Sequence, residues 1–400
     1  FPLAPDLVVV HLVGLFGWLG MPFAFNVLSR TLLILILAAI SGRASMYVDD
    51  VMGCSTRSKL HADMTAAHDA ITGLAGDFSV APDKSESGRS LEFIGWTVCL
   101  DTKTVTVSRR ILLKTAHAIL SFQVTVHLSQ LHLQRMASLA SRISTMCQYM
   151  RPFTYHLPHE AAQFSHNPSA RHRISAAARS EVCIWRAFIL ILQRPGVVMH
   201  RPISSFRVSP PTFELHYDAS LTQVAVGLYL VLGSARSLRV IAAPVLPFPT
   251  SSDSSKQNSY EYLAVVVGLL LAASISISSA SYTLYGDSIS SLTWTESGRA
   301  NSALAHKENL AVATISVTLN LDVASTVHVP GDLNTVYDGL SRGATAEEVG
   351  LDPALQVFFT RDHPVTQFML LCEPTPDHLD PAAVTSLLGQ FSALLRTLVP

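Results

Sequence analysis

The feature that most constrains the fold is the order of elements between residues 213 and 341. "FELHYDAS", "VAVGLYLVL" and "SLRVIAAPVL" are three successive strand candidates rich in β-prone residues and bounded by turn formers. "YEYLAVVVGLLLAA" then reads as a helix, "YTLYGDS" as a fourth strand, residues from about 288 to 320 as helical, "STVHVP" as a fifth strand and "LNTVYDGLSRG" as a short helix. Hairpins first and crossovers later give the order β-β-β-α-β-α-β-α, a compact α/β layout. Four carboxylates fall at its edges: Asp218 at the end of the first strand, Glu261 in the first turn of the first helix, Asp287 at the end of the fourth strand and Asp338 on the final helix. Strand ends on one edge of an α/β sheet are where ligands gather. Four carboxylates converging there repel unless hard divalent cations neutralise them, and two bridged cations can activate a water and stabilise the leaving oxygen in phosphodiester hydrolysis. Any one of the four is more simply a solvated strand-end or cap residue. The set in this order is what points to a cation site.

A second acidic feature lies in "SMYVDDVMGC", residues 45 to 54, where Asp49 and Asp50 are enclosed by strand-forming residues. Adjacent carboxylates are costly to desolvate, so they require water or a cation. The flanking runs predict a hairpin with both carboxylates at its tip. Before it, "GLFGWLGMP" reads as a loop leading into a helix from about Phe23 to Ile40; after it come a helix in "KLHADMTAAHDAITGLAGDF" and a strand pair in "LEFIGWTVCLDTKTVTVS", with "DTK" as the turn. From about Leu112 to Pro195 apolar residues recur at helical spacing, and "RPISSFRVSPPTF" marks a boundary near 201 to 213.

At 400 residues the chain is long enough for two or three domains. Its mean hydropathy is positive and only 14% of residues are charged, which raises a membrane reading for residues 7 to 28 and 263 to 280. His11, Asn26, a proline and glycines interrupt the first run and a serine-rich stretch ends the second, so buried core is the expectation and no membrane partner is implied. Five scattered cysteines without a CxxC pair argue for reduced thiols in an intracellular protein and against a zinc site or disulfide framework. No secretory leader is visible at "FPLAPDL", and the chain reads as an excerpt. Residues 346 to 400 carry seven acidic and two basic side chains, leaving 26 basic against 22 acidic in residues 1 to 345. A modestly basic body is compatible with nucleic acid.

"ELHYDAS", "NSYEYLAVVV", "LYGDSISSLTW" and "VHVPGDLNTVYDGLSRG" resemble the successive motifs of the ribonuclease H domain in retroelement polyproteins. The resemblance implies that Asp218, Glu261, Asp287 and Asp338 are metal ligands, that His328 is the histidine near the scissile phosphate, and that Asn334 and "LSR" at 340 to 342 belong to the flanking signature. "YVDD" is similar to the reverse transcriptase palm hairpin, making Asp49 and Asp50 catalytic metal ligands. Phe16 and Gly17 in "LFGWLGMPFAF" match a segment that packs on template and nucleotide, Lys84 in "APDKSESG" a palm lysine near the triphosphate, and Gly95 and Trp96 in "LEFIGWTVCL" the primer-grip hairpin.

The implied organisation is a partial palm over 1–110, a helical thumb and connection over 111–205, a ribonuclease H-like domain over 206–345 and an acidic linker or appendage over 346–400. The fold class is thus α+β and α/β multidomain. "FGW", "YVDD", "GDS" and "DGLSR" look closest to retrotransposons of the DIRS and Ngaro type, with a tyrosine recombinase downstream. Implied cofactors are Mg2+ or Mn2+, two ions per site, and implied partners are an RNA–DNA hybrid, template–primer nucleic acid, and dNTP for a complete polymerase. A palm needs a third aspartate ahead of "FGW", and Asp6 in residues 1 to 10 is a poor substitute, so the polymerase site reads as incomplete and the chain as N-terminally truncated. Cytoplasmic assembly with a nuclear phase follows from the family life cycle. The alternative is a decayed, non-catalytic relic that binds nucleic acid through "SRRILLK" and "RHR".

Overall fold

A computed structural model describes residues 2–4, 7–8, 21–47, 50–76, 80, 85–120, 127–146, 148–163, 171–192, 200–203, 211–249, 254–298, 300, 302–375 and 380–399. The chain divides into two compact units, Phe1–Val98 and Cys99–Pro400.

In the first unit, helix α1 (Met21–Ala39) is followed by the antiparallel hairpin β1 (Arg43–Tyr47) and β2 (Asp50–Cys54), then α2 (Leu60–Ala75), β3 (Ser90–Phe93) and β4 (Trp96–Cys99). Leu32 and Ile36, one turn apart, are the buried positions of α1. Asp63 on α2 fastens the hairpin: its carboxylate accepts from the Ser41 amide and hydroxyl and from the Ser55 hydroxyl. These bonds, the Ser41 amide first, hold its carboxyl below the usual range. The strand pair expected with its turn at "DTK" forms with that turn: β4 ends at Cys99, residues 100 to 103 turn with Lys103 at positive φ (53°), and the strand Thr104–Val107 follows. The chain makes a further reversal ahead of it at Ile94 and Gly95, both at positive φ (53° and 85°), which joins β3 to β4. Isoleucine is a poor occupant of a left-handed turn position, so no turn signal was legible there.

The second unit opens with helices α3 (Arg109–Leu120), α4 (Gln130–Ser144), α5 (His156–Gln163) and α6 (Ala176–Leu192). Their apolar faces follow the helical period: Leu133, Met136, Ala137, Ala140 and Ile143 are buried on α4. Buried Glu181 on α6 accepts from the backbone amides of Tyr155, His156 and Leu157, satisfying the orphan donors at the start of α5. The Tyr149 hydroxyl meets that of Tyr282 at 2.7 Å, tying this helical layer to the sheet.

The sheet contains β5 (Phe213–Ala219), β6 (Val224–Leu232), β7 (Ala235–Ala242), β8 (Ala280–Gly286), β9 (Leu321–His328) and β10 (Gln356–Val357), in the order β9-β8-β5-β6-β7-β10. β5–β6 and β6–β7 pair antiparallel, whereas β5–β8, β8–β9 and β7–β10 pair parallel. Helices α7 (Gln257–Ser274), α8 (Ile289–Ser297), α9 (His306–Leu319) and α10 (Thr335–Ser341) complete the α/β part. α7 is buried without interruption from Ser259 to Ala273, between β5 and β6 on one side and α9 and a later helix, α12 (Pro381–Leu398), on another. That burial accounts for the long apolar run in its sequence. Among the described residues no helix is long and apolar enough to cross a membrane.

The segment after 345, expected as a linker or appendage, is packed into the second unit. β10 extends the sheet edge, and α11 (Pro364–Leu371) and α12 pack on α7, with α12 also against α6 and α9. Phe368 and Phe391 stack at 4.7 Å between α11 and α12.

Candidate metal centre

β5 is where the sheet changes from parallel to antiparallel, and its neighbour β8 runs parallel to it with His216 beside Tyr285. Two residues further on, Asp218 and Asp287 emerge at the C-terminal ends of adjacent strands. Glu261 comes from α7, which crosses this edge. It is the fifth residue of the helix, one turn later than expected, because Ser254–Lys256 form a 3-10 turn and α7 proper begins at Gln257. Asp218, Glu261 and Asp287 each offer an oxygen within 4.8 Å of the others, and among the described residues no other group of three His, Cys, Asp or Glu does so.

The surroundings of these oxygens are specific. Asp218, 3% exposed, accepts from Asn334 Nδ2 at 3.2 Å on Oδ1 and from the Ser341 hydroxyl on Oδ2. Burial lifts its pKa to about 6; the Ser341 bond and Arg342 oppose the rise, and the charges of Asp287 and Asp338 add to it. Glu261, 4% exposed, accepts from Gln257 Nε2 at 3.0 Å on Oε1, while its Oε2 has no hydrogen-bond partner. Burial first, then the charges of Asp218 and Asp287, push its carboxyl well above the usual glutamate range. Gly286 is required at the approach to Asp287, because a Cβ there would sit 2.4 Å from the Tyr217 ring packed beneath the turn. That ring is fixed by a hydroxyl–hydroxyl bond from Tyr217 to Ser291.

α10 is held at this edge from below. The Ser220 hydroxyl donates to the Ser341 carbonyl at 2.7 Å and Gln223 Nε2 to the Leu340 carbonyl at 2.9 Å. Asp338 on this helix is not within the triad; its Oδ1 accepts from Arg342 Nε at 2.7 Å. His328, exposed at the end of β9, lies with Nε2 3.1 Å from the Asp287 carbonyl oxygen. Gln257 is not singled out from sequence as a site residue, and Ser341 enters there only within "LSR", with no role given to its hydroxyl. Neither carries a composition or spacing signal; each matters through one bond that only the fold creates.

The first-half candidates are less fully described. Asp50 is exposed and opposite Tyr47 in the β1–β2 register. Gly95 is buried and Trp96 half-buried in the β3–β4 hairpin. Phe16, Gly17, Asp49, Lys84 and Asp6 lie outside the described residues.

The donor set suits a hard divalent cation. Three carboxylates without nitrogen or sulfur are ligands of Mg2+, Mn2+ or Ca2+ type. The orphaned Glu261 oxygen, buried beside two other carboxylates, lacks the proton donor that would otherwise satisfy it. A cation would supply the missing partner and remove the mutual repulsion.

No family model and no curated protein matches the chain. Among solved structures it is similar to the foamy viral protease-reverse transcriptase dRH in complex with double-stranded DNA, at 12% identity over 79% of this chain and 50% of that chain, with a TM-score of 0.33. The foamy viral protease-reverse transcriptase in complex with an RNA/DNA hybrid gives 13% identity, 80% and 39% coverage and 0.33. The same protein in complex with double-stranded DNA gives 12%, 79%, 60% and 0.32. The chain spans 39% to 60% of the length of these chains.

Proposed function

We propose that the second unit is a ribonuclease H-like domain that hydrolyses the RNA strand of an RNA–DNA hybrid, in a chain of retrotransposon origin of the DIRS or Ngaro type. The observation that carries this is the triad of Asp218, Glu261 and Asp287 at the parallel-to-antiparallel switch of the sheet, with one buried carboxylate oxygen unpartnered. The motif resemblance adds Asp338, His328 and Asn334. Asp49 and Asp50, with Phe16, Gly17, Lys84, Gly95 and Trp96, are read as elements of a reverse transcriptase palm that would meet template–primer and dNTP.

Asp218, Glu261 and Asp287, with Asp338, would hold two Mg2+ or Mn2+ ions, which would supply activation of the attacking water and charge neutralisation of the departing 3′ oxygen. Asn334 and Ser341 orient Asp218 with one hydrogen bond to each oxygen, leaving each oxygen a further lone pair for a ligand. Gln257 steadies Glu261 through Oε1 and leaves Oε2 open. His328, exposed beside the Asp287 carbonyl, assists either proton transfer to the departing 3′ oxygen or release of the product.

The test is hydrolysis of end-labelled RNA in a hybrid, with Mg2+ and with chelator. Cation-dependent products ending in 5′-phosphate are expected, with the rate falling by ~10³-fold in Asp287→Asn. Equal hydrolysis by wild type and variant contradicts the assignment. Salt-sensitive hybrid binding without any hydrolysis supports the non-catalytic relic instead.

A further inference from the structure

In the proposed nuclease Asp338 completes the carboxylate set, yet its Oδ1 is engaged by Arg342 Nε at 2.7 Å, one helical turn away on α10. The guanidinium, charged throughout the ordinary pH range, also feels the charges of Asp218 and Asp287. It therefore lies at the mouth of the cluster, as a counter-ion built into the chain. A divalent cation shared by Asp218 and Asp338 competes with the guanidinium for the Asp338 carboxylate, because two positive charges at short range repel.

The arrangement is weak enough to be reversible. Arg342 is 72% exposed and Asp338 37%, and an exposed pair at this spacing favours the closed form by a factor of only about two. A nucleic-acid phosphate offers the same guanidinium a bidentate partner. We propose that Arg342 is a positioning residue that exchanges Asp338 for a backbone phosphate of the substrate, so that nucleic-acid binding frees Asp338 and raises cation affinity at the Asp218–Asp338 side. Reciprocity follows: the cation, by capturing Asp338, frees Arg342 for phosphate and tightens nucleic-acid binding by the same factor. This inference rests on the nuclease reading of the same carboxylates.

The experiment is calorimetric titration with Mn2+ in the absence of nucleic acid, on wild type, Arg342→Gln, Asp338→Asn, the double variant Arg342→Gln/Asp338→Asn, and Asp287→Asn. Arg342→Gln is expected to bind Mn2+ about threefold more tightly than wild type, and the gain to vanish in the Asp338→Asn background. The salt dependence of hybrid binding, measured in parallel, is expected to lose about one unit of slope in Arg342→Gln. An unchanged Mn2+ affinity in Arg342→Gln overturns the exchange. So does an equal gain with and without Asp338, which is a through-space charge effect alone. If wild type binds Mn2+ and Asp287→Asn does not, while Arg342→Gln behaves as wild type, the exchange falls and the nuclease reading stands. If wild type binds no Mn2+, both fall.

Discussion

Glu261→Gln is expected to lower Mg2+-dependent hydrolysis by ~10³-fold or more while raising the stability of the cation-free protein by about 1–2 kcal/mol. The opposite signs come from one fact: Glu261 is buried beside Asp218 and Asp287 with an unpartnered oxygen. Without a cation this is repulsion and unpaid desolvation, which a neutral amide relieves. With a cation it is a ligand, and the amide is a poor one. Thermal melts in chelator and in Mg2+ separate the two roles. Mg2+ should raise the melting temperature of wild type by mass action and leave that of Glu261→Gln nearly unmoved. Asp218 adds a pH signature. Its folded pKa of about 6 exceeds the ordinary 3.8, so its contribution to cation-free stability is full below 3.8 and is lost as pH rises through 6. A variant less stable than wild type in chelator, with an unaltered Mg2+ shift, would show that the carboxyl is structural.

Glu308 gives the second large effect, away from the site. It is fully buried on α9, and neither of its carboxyl oxygens has a hydrogen-bond partner in another residue. The neighbouring Lys307 is spent on the Glu373 carbonyl at 3.0 Å, and buried Cys372 and Tyr262 both feel the Glu308 charge. Burial therefore pushes the Glu308 carboxyl well above its usual 4.5. The sign follows from linkage: with the folded pKa above the unfolded one, the contribution is full below 4.5 and is lost as pH rises through the folded pKa. Glu308→Gln should match wild type in chemical denaturation near pH 4 to 5 and exceed it by roughly 2–4 kcal/mol at pH 8, measured in Mg2+ to silence the metal centre. A constant difference across that range would show that Glu308 does not titrate in the packed protein.

The β-hairpins and crossovers of the second unit were legible because strand candidates such as "FELHYDA" are β-rich and end at turn formers. Asp218 and Asp287 could thus be assigned to neighbouring strand ends. Glu261 was assigned one turn too early because α7 has no capping side chain at Lys256 and is buried all round, so neither a cap nor a polar face marks its start. The tail misled more instructively. Its acidic and proline residues resembled a linker, yet Asp352 and Asp380 accept from the amides of Ala354 and Ala383, and Pro353, Pro364 and Pro381 occupy first helical positions. Asp-Pro there is a helix-start signal, not a break. The bonds from Ser341, Asn334 and Gln257 depend on three elements meeting at one sheet edge, which no local pattern encodes.

In the proposed nuclease three carboxylates, brought together by the sheet, hold cations that support hydrolysis of RNA paired with DNA. The most direct test compares cleavage of the RNA strand in a hybrid with cleavage of the same sequence as duplex DNA, by wild type and Asp218→Asn in Mg2+. Mg2+-dependent cutting of the hybrid alone is expected, abolished in Asp218→Asn. Cutting that survives the substitution, or none from a folded wild type that nonetheless binds the hybrid, would contradict it.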